Sequence, residues 1–434
     1  MRARLARGYL REEDGSVTLL ALYFFVISLM LGGLAIDFLH RTSEQTKLQA
    51  ATDNVAHAAM LMRLTRPADD ARGAAMTLVP GNLPEALHGE AIVVTDIEFG
   101  NWDHDAGSFA PDPQSNDAVR VIARRDTSRD NIVTNMLLQV IGYRGFEIDT
   151  TAIFQVWEPG CFKNGFVARN VVDVQSNNEF GPEFCMHGND HVELNNHNYF
   201  ATGAVVSMPD QGDIVVPPAG WESNDGLAEA LRNAFYLFKV LDAVPETITK
   251  LETNDPQVAP GYVHGSAAVL LTDRRVDPEN FEAGRVHSYS CTGNQGMTFA
   301  PGLYSEFVLV TDCDISFRNG VVLEDVVIAT ASTGDRSFDA PNGLTLGRND
   351  HCAPGGGAAL LTQGGFNVAA NLQIYGSQVV ALKSIDFAAQ AQGVEGVSMI
   401  SGEDVNTTSN IAMNGCPESG MDLVLWERVV RMVE

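Results

Sequence analysis

The chain has 434 residues, room for two or three domains with a sizeable core, and a formal net charge of −27. That charge argues against nucleic acid or anionic lipid as partner for most of the chain, since both would repel it. Beyond the first third the sequence is rich in Gly and Asn and poor in Lys, a bias towards turns and short strands.

The first predicted element is a membrane span. No charged residue lies between Asp14 and Asp37, and Arg2, Arg4, Arg7 and Arg11 precede the run. A helix over residues 16–36 crosses a hydrocarbon core of roughly 30 Å at about 1.5 Å per residue. A buried core helix of this length would show a polar face. A removable signal peptide has an apolar stretch of only about 7–15 residues before its cleavage site. Here the run is longer and helix-forming sequence continues through Asp37, so the segment reads as an uncleaved signal-anchor. Cytoplasmic flanks retain Lys and Arg. Residues 1–15 are therefore expected to be a cytoplasmic tail of a single-pass inner-membrane protein whose bulk is periplasmic. The membrane-flanking set is Arg2, Arg4, Arg7, Arg11 and Asp37.

Cysteine placement points to the same compartment. All six cysteines (Cys161, Cys185, Cys291, Cys313, Cys352 and Cys416) follow the span, and an even number in an exported chain favours disulfides. None forms a CxxC pair, which disfavours a zinc knuckle or a thioredoxin-like redox site.

Residues 37–66 continue as a stalk helix. Leu48, Ala51, Val55, Ala58 and Met62 recur at three- and four-residue steps, forming one apolar stripe flanked by alanines that allow close approach of another backbone. The stripe would pack either against a neighbouring subunit or against the chain's own domain. Residues 67–157 read as a small α+β domain. Ala91–Phe99 alternates as a strand, residues 118–123 form a second, and Asn131–Ile141 presents Ile132, Met136 and Val140 on one helical face. Phe146–Trp157 alternates again, so a small sheet with helix on one face is expected.

Residues 12–157 resemble the TadE/TadG-like proteins of the Flp, or tight-adherence, pilus system. The likeness rests on a glycine-led span (Gly15-Ser16-Val17-Thr18), an aspartate at its outer end (Asp37), and the Leu-Gln-x-Ala-x-Asp-x-x-Ala stretch from Leu48 to Ala56. It also rests on Phe99-Gly100-Asn101-Trp102, leading to the strand Asn116-Asp117-Ala118-Val119-Arg120-Val121. The prepilins of that system carry Glu five residues after the cleavage glycine, where this chain has Leu20, which resembles the TadG-like branch better. What the resemblance implies is a non-enzymatic component of pilus assembly or anchoring. Its partners would be the lipid bilayer and pilin-like or Tad assembly-platform proteins, and the stripe on the stalk would be one contact surface.

Residues 158–434 are a β-rich region of short runs separated by Gly and Asn. Asn178-Glu179-Phe180 and Asn198-Tyr199-Phe200 recur twenty residues apart. Such a period fits the coils of a parallel β-helix, with an antiparallel sandwich as the competing fold. A helical insertion is expected at residues 225–252, its amphipathic part over Asp225–Ala243 and ended by Pro245. The layout would let Cys161 join Cys185, Cys291 join Cys313, and Cys352 join Cys416, although six cysteines permit other pairings. The fold class is thus a membrane-anchored α+β region followed by a mainly β, β-helix-like domain.

Candidate chemistry is thin, and neither catalytic residues nor a cofactor or metal site is assigned. His187, His191 and His197 cluster with Asp190 and Glu193 in sequence but match no zinc-enzyme spacing. Asp103, His104 and Asp105 lack the Asp-x-Asn-x-Asp-Gly pattern of a calcium loop. Asp312 and Asp314 flank Cys313 as a carboxylate pair of the kind a β-helix glycosidase or lyase uses. A membrane-tethered polysaccharide-active enzyme and a surface adhesin are the alternatives to a pilus component.

Overall fold

The longest element is helix α1, Asp14–Arg63, about 75 Å at the usual rise. The computed structural model describes residues 14–433 apart from 105, 266, 294, 418, 419 and 422. The four amino-terminal arginines therefore lie outside the described residues. Among the described residues α1 is the one helix long and apolar enough to cross a membrane. Its two halves differ. From Val17 to Leu39 the large apolar side chains other than Ile27 are exposed, whereas from Leu48 onwards one face is buried.

The chain divides into two units, one running to Trp157 and taking in the segment from Arg428, the other spanning Glu158–Glu427. In the first unit, Leu48, Ala51, Val55, Ala56, Ala59 and Met60 of α1 enter a core with Ile97, Phe99, Val119, Val121 and Ala152. Helix α2, Ala68–Met76, starts after Pro67, carries Asp69 and Asp70 in its first turn, and adds Ala71 and Ala75 to that core. The sheet contains β1 (Ile97–Asp103), β2 (Ser108–Pro111), β3 (Ala118–Arg125) and β4 (Ile148–Trp157). Its order is β2-β1-β3-β4, all antiparallel, closed by Val429–Met432 on the far side of β4.

Three expectations for this region need correction. The strand drawn over Ala91–Phe99 begins only at Ile97, because Asp96 accepts the Val93 N–H and pairs with Arg129, tying Val94–Asp96 into a 3-10 turn. The helix drawn over Asn131–Ile141 is instead a small hairpin. Val133–Thr134 pairs with Gly145–Phe146, and only Leu138–Ile141 turns, as 3-10 helix. Finally, Val429–Met432, counted with the β-rich region, pairs with Phe154–Trp157 of β4.

The second unit is built on a large parallel sheet, of 22 strands among the described residues. Gly165–Ala168 pairs in parallel with Cys185–Gly188, which pairs with Val205–Met208, each step twenty residues. Val171–Val174 pairs likewise with His191–Leu194, and Glu179–Phe180 with Tyr199–Phe200. The stack does not follow chain order. Ile385–Ser401 lies against Gly165–Ala168, and Val405–Thr407 against Val171–Val174, so the last strands of the unit adjoin its first.

The repeated asparagines have a structural reason. Asn178 Oδ1 accepts the Ile411 N–H, Asn198 Oδ1 accepts the Asn178 N–H, and Asn224 Oδ1 accepts the Asn198 N–H, at 2.8–3.0 Å. Buried turn amides are thereby satisfied from the neighbouring layer, where leaving them unpaired would cost about 1–3 kcal/mol each. Two residues on, Phe180 and Phe200 stack with ring centroids 5.0 Å apart. Disulfides join Cys161 to Cys185, Cys291 to Cys313 and Cys352 to Cys416.

The single helix expected over Asp225–Ala243 is absent. Leu227–Ala230 makes one turn, Leu231–Asn233 pairs as a strand with Val206–Met208, and Phe238 takes a left-handed conformation (φ +52°). Asn189 holds the intervening segment by bonding both the N–H and the C=O of Tyr236. Pro245 does not end a helix; it sits in the first turn of Val244–Glu252.

Candidate functional site

The residue that organises the junction between the exposed apolar half of α1 and the first unit is Asp37. Its carboxylate accepts the backbone N–H groups of Met136 (2.7 Å), Leu137 (3.0 Å) and Leu138 (2.6 Å). Burial by itself would raise this carboxyl's pKa; the three N–H donors outweigh it and hold the group below the usual carboxylate range. Asp37 thus caps the 3-10 turn from a helix about 100 residues away, in place of a local side chain.

The other motif residues fasten α1 to the sheet. Gln49 Nε2 donates to Asp53 Oδ1 and to the Thr151 carbonyl, and Thr52 Oγ1 meets Thr150 Oγ1 at 2.7 Å. Phe99 is buried beneath the guanidinium groups of Arg63 and Arg72. At Gly100 an added Cβ would come within 2.2 Å of the Ala110 carbonyl, so β2 approaches only because that residue lacks a side chain. Trp102 N–H is held by Asp117 Oδ2.

These contacts decide what the stalk stripe does. Leu48, Ala51 and Val55 are sealed in the unit's own core, and Ala58 and Met62 are half-buried. Of the two packings expected for the stripe, the one against the chain's own domain is found: Leu48, Ala51 and Val55 have almost no accessible area left for another subunit, and Ala58 and Met62 only part of theirs. The accessible face of this part of α1 is a shallow polar groove lined by Thr42, Gln45, Thr46, Gln49, Ala50 and Asp53.

On the second unit the outward positions of one strand column form a continuous polar strip. Paired neighbours run Arg275, Thr298, Ser316, Asp339, Asn367, Asp386, Asn406, Asp173 and Glu193. At about 4.8 Å per strand the strip is roughly 38 Å long. Amides alternate with acids along it: Asn367 donates to Asp339 and Asn406 to Asp386, which separates like charges. Asp173 and Glu193 have no amide between them, and burial followed by the Glu193 charge raises the Asp173 pKa. At the Arg275 end, Arg274, Arg275, Arg318 and Arg336 line a cleft of about 510 Å³ with Asp314 and Asp339.

The candidate ligands do not converge. His187 is buried, with Nε2 donating to Asn189 Oδ1 (2.8 Å) and Nδ1 2.9 Å from Ser207 Oγ, while His191 lies 3.5 Å from Asp190 and His197 is exposed on a turn. Among the described residues the one grouping at ligand spacing is Cys291, Asp312 and Cys313, and its two cysteines are joined as a disulfide. Asp312 accepts the Cys291 N–H and Asp314 accepts the Ser332 hydroxyl, so both serve the loop around that disulfide. Asp103 caps Ala106, His104 approaches Arg431, and Asp105 lies outside the described residues.

Burial lowers the His187 pKa from 6.5 to about 4. Below pH 6.5 the unfolded chain takes up a proton that the folded site resists, so stability falls as pH drops through that window. At about 1.4 kcal/mol per unit the loss reaches roughly 3 kcal/mol. Urea unfolding at pH 7 and pH 4.5 is expected to show it, with a shallower slope in His187→Gln.

A family model described as "Domain of unknown function (DUF7867)" matches residues 165–417, more than half of the chain. The chain belongs to this family. The match falls within the second unit of this DUF7867 protein, from Gly165 at the start of the twenty-residue repeats to just past the Cys416 disulfide. A second model, "Putative Flp pilus-assembly TadE/G-like" (Tad), matches residues 15–70, which take in the apolar half of α1, Asp37 and the Leu48–Ala56 stretch. Residues 15–70 are thus TadE/G-like, as their motifs implied, which supports a role associated with the Flp/Tad pilus. Comparison with curated proteins and with solved structures finds no match.

Proposed function

We propose that this protein is a non-enzymatic component of Flp/Tad pilus assembly or anchoring, held in the inner membrane by residues 16–36 with its bulk in the periplasm. One observation carries the reading: the TadE/G-like match and the bilayer-length apolar run are the same stretch of chain. Below Asp37 the helix offers apolar side chains on all sides, suited to lipid or to other membrane helices. Above it the polar groove from Thr42 to Asp53 is the face left for a pilin-like or assembly-platform partner, since the stripe is occupied. The stacked parallel strands of the second unit are read as a β-helix, a stiff scaffold or display surface whose layers are locked by the asparagine ladder. A strain lacking the gene is expected to lose surface pili by electron microscopy and to regain them with the full chain. Undiminished piliation in the deletion strain would refute the reading.

A second reading, a surface adhesin for acidic sugars, is favoured by the arginine-lined cleft on a chain of net charge −27. Retention of an acidic polysaccharide by the wild type and its loss in Arg275→Glu/Arg318→Glu would promote it.

A further inference from the structure

We propose that the hairpin tip Met136–Tyr143 is a second membrane contact, resting in the outer leaflet beside the point where α1 leaves it; this rests on the anchor reading above. The tip is apolar and uncovered. Val140 is 84% and Ile141 68% exposed, and Met136, Leu137 and Tyr143 are exposed as well. It is also continuous with the lipid-facing surface of α1. A Cβ placed on Gly33 would sit 3.3 Å from Leu137 Cβ, so the tip reaches the helix one turn, about 6 Å, below Asp37. Leu34, Ile36, Phe38 and Leu39 are exposed around that height.

The backbone supplies an independent argument. Irregular chain at lipid depth is tolerated only where the protein satisfies its N–H groups, since lipid tails cannot. Asp37 takes those of Met136, Leu137 and Leu138. The N–H of Val140 is bonded to the Leu137 carbonyl, that of Gly142 to Gln139, and that of Tyr143 to Leu138. Exposed apolar side chains on a backbone with these donors closed inward, and with the Gln139 amide turned back onto the Met136 carbonyl, suit hydrocarbon better than water. Exposed Tyr143 and Arg144, with Arg41 over the Phe146 ring, stand at the rim, where aromatic and basic groups meet the headgroups.

The test uses the full chain in native membranes containing a clickable phospholipid. Photoreactive p-benzoylphenylalanine replaces Val140, with Leu22 in the span and Leu270, an exposed apolar residue of the second unit, as controls. Lipid labelling at 140 approaching that at 22, and several-fold above that at 270, is the expected result. Labelling at 22 but not at 140, or a protein adduct at 140, would overturn the inference while leaving the anchor intact. Lack of lipid labelling at 22 would refute the anchor reading itself, and this inference with it.

Discussion

Replacing Leu48 and Val55 together by aspartate is expected to stop the first unit from folding, so that the protein fails to accumulate. Both side chains are fully buried against the sheet. Truncating one such residue to alanine costs about 2–5 kcal/mol. Aspartate adds the desolvation of a charge with no partner in that core, and two such changes exceed a typical domain's whole stability of about 5–15 kcal/mol. Immunoblots of membrane fractions should show little or no full-length protein, and any purified fraction should lack a cooperative thermal transition. Normal accumulation with selective loss of pili would instead mean that the stripe faces a partner.

The second large effect is expected at Arg125. Its guanidinium is buried, bonded to Glu44 Oε2 at 2.5 Å and to the Asn131 carbonyl at 3.0 Å, with His88 Nδ1 3.3 Å away. Removing one partner of a buried ion pair costs up to about 3–5 kcal/mol. Here Lys47, 2.8 Å from Glu44 Oε1, keeps part of the carboxylate's compensation, so the loss should fall at the lower end of that range. Arg125→Ala should lower the urea midpoint by a matching amount. Adding Glu44→Gln should recover part of the loss, because the carboxylate, left with Lys47 alone as its close cationic partner, is then gone. Equal stabilities of the single and double variants would show that the penalty lies in packing, not in the stranded charge.

The two halves of α1 were legible in the sequence to different depths. An uncharged run of bilayer length carries its own meaning, because lipid is the one solvent that accepts apolar residues on all faces. The stripe from Leu48 showed that one face is buried but not what buries it, since periodicity is blind to the partner. Asn131–Ile141 misled for a related reason. Its apolar residues have helical spacing, yet the N–H groups a helix would use are captured by Asp37, about 100 residues earlier. In the second unit the twenty-residue period was visible at Asn178 and Asn198. The ladder's next members were not. Asn224 follows after twenty-six residues, and Ile411 arrives from the far end of the unit because the stack departs from chain order. Val429–Met432 is too short to announce itself as a strand; it is defined by the open edge of β4.

The claim on which the rest depends is that α1 holds the chain permanently in a bilayer with both units outside the cytoplasm. Protease added to intact spheroplasts, followed by carbonate washing of the membranes, tests it most directly. The expected result is that untreated protein stays in the washed pellet and that protease removes all but a short amino-terminal fragment. Protein released by carbonate, or left whole by protease until the membrane is broken, would contradict it.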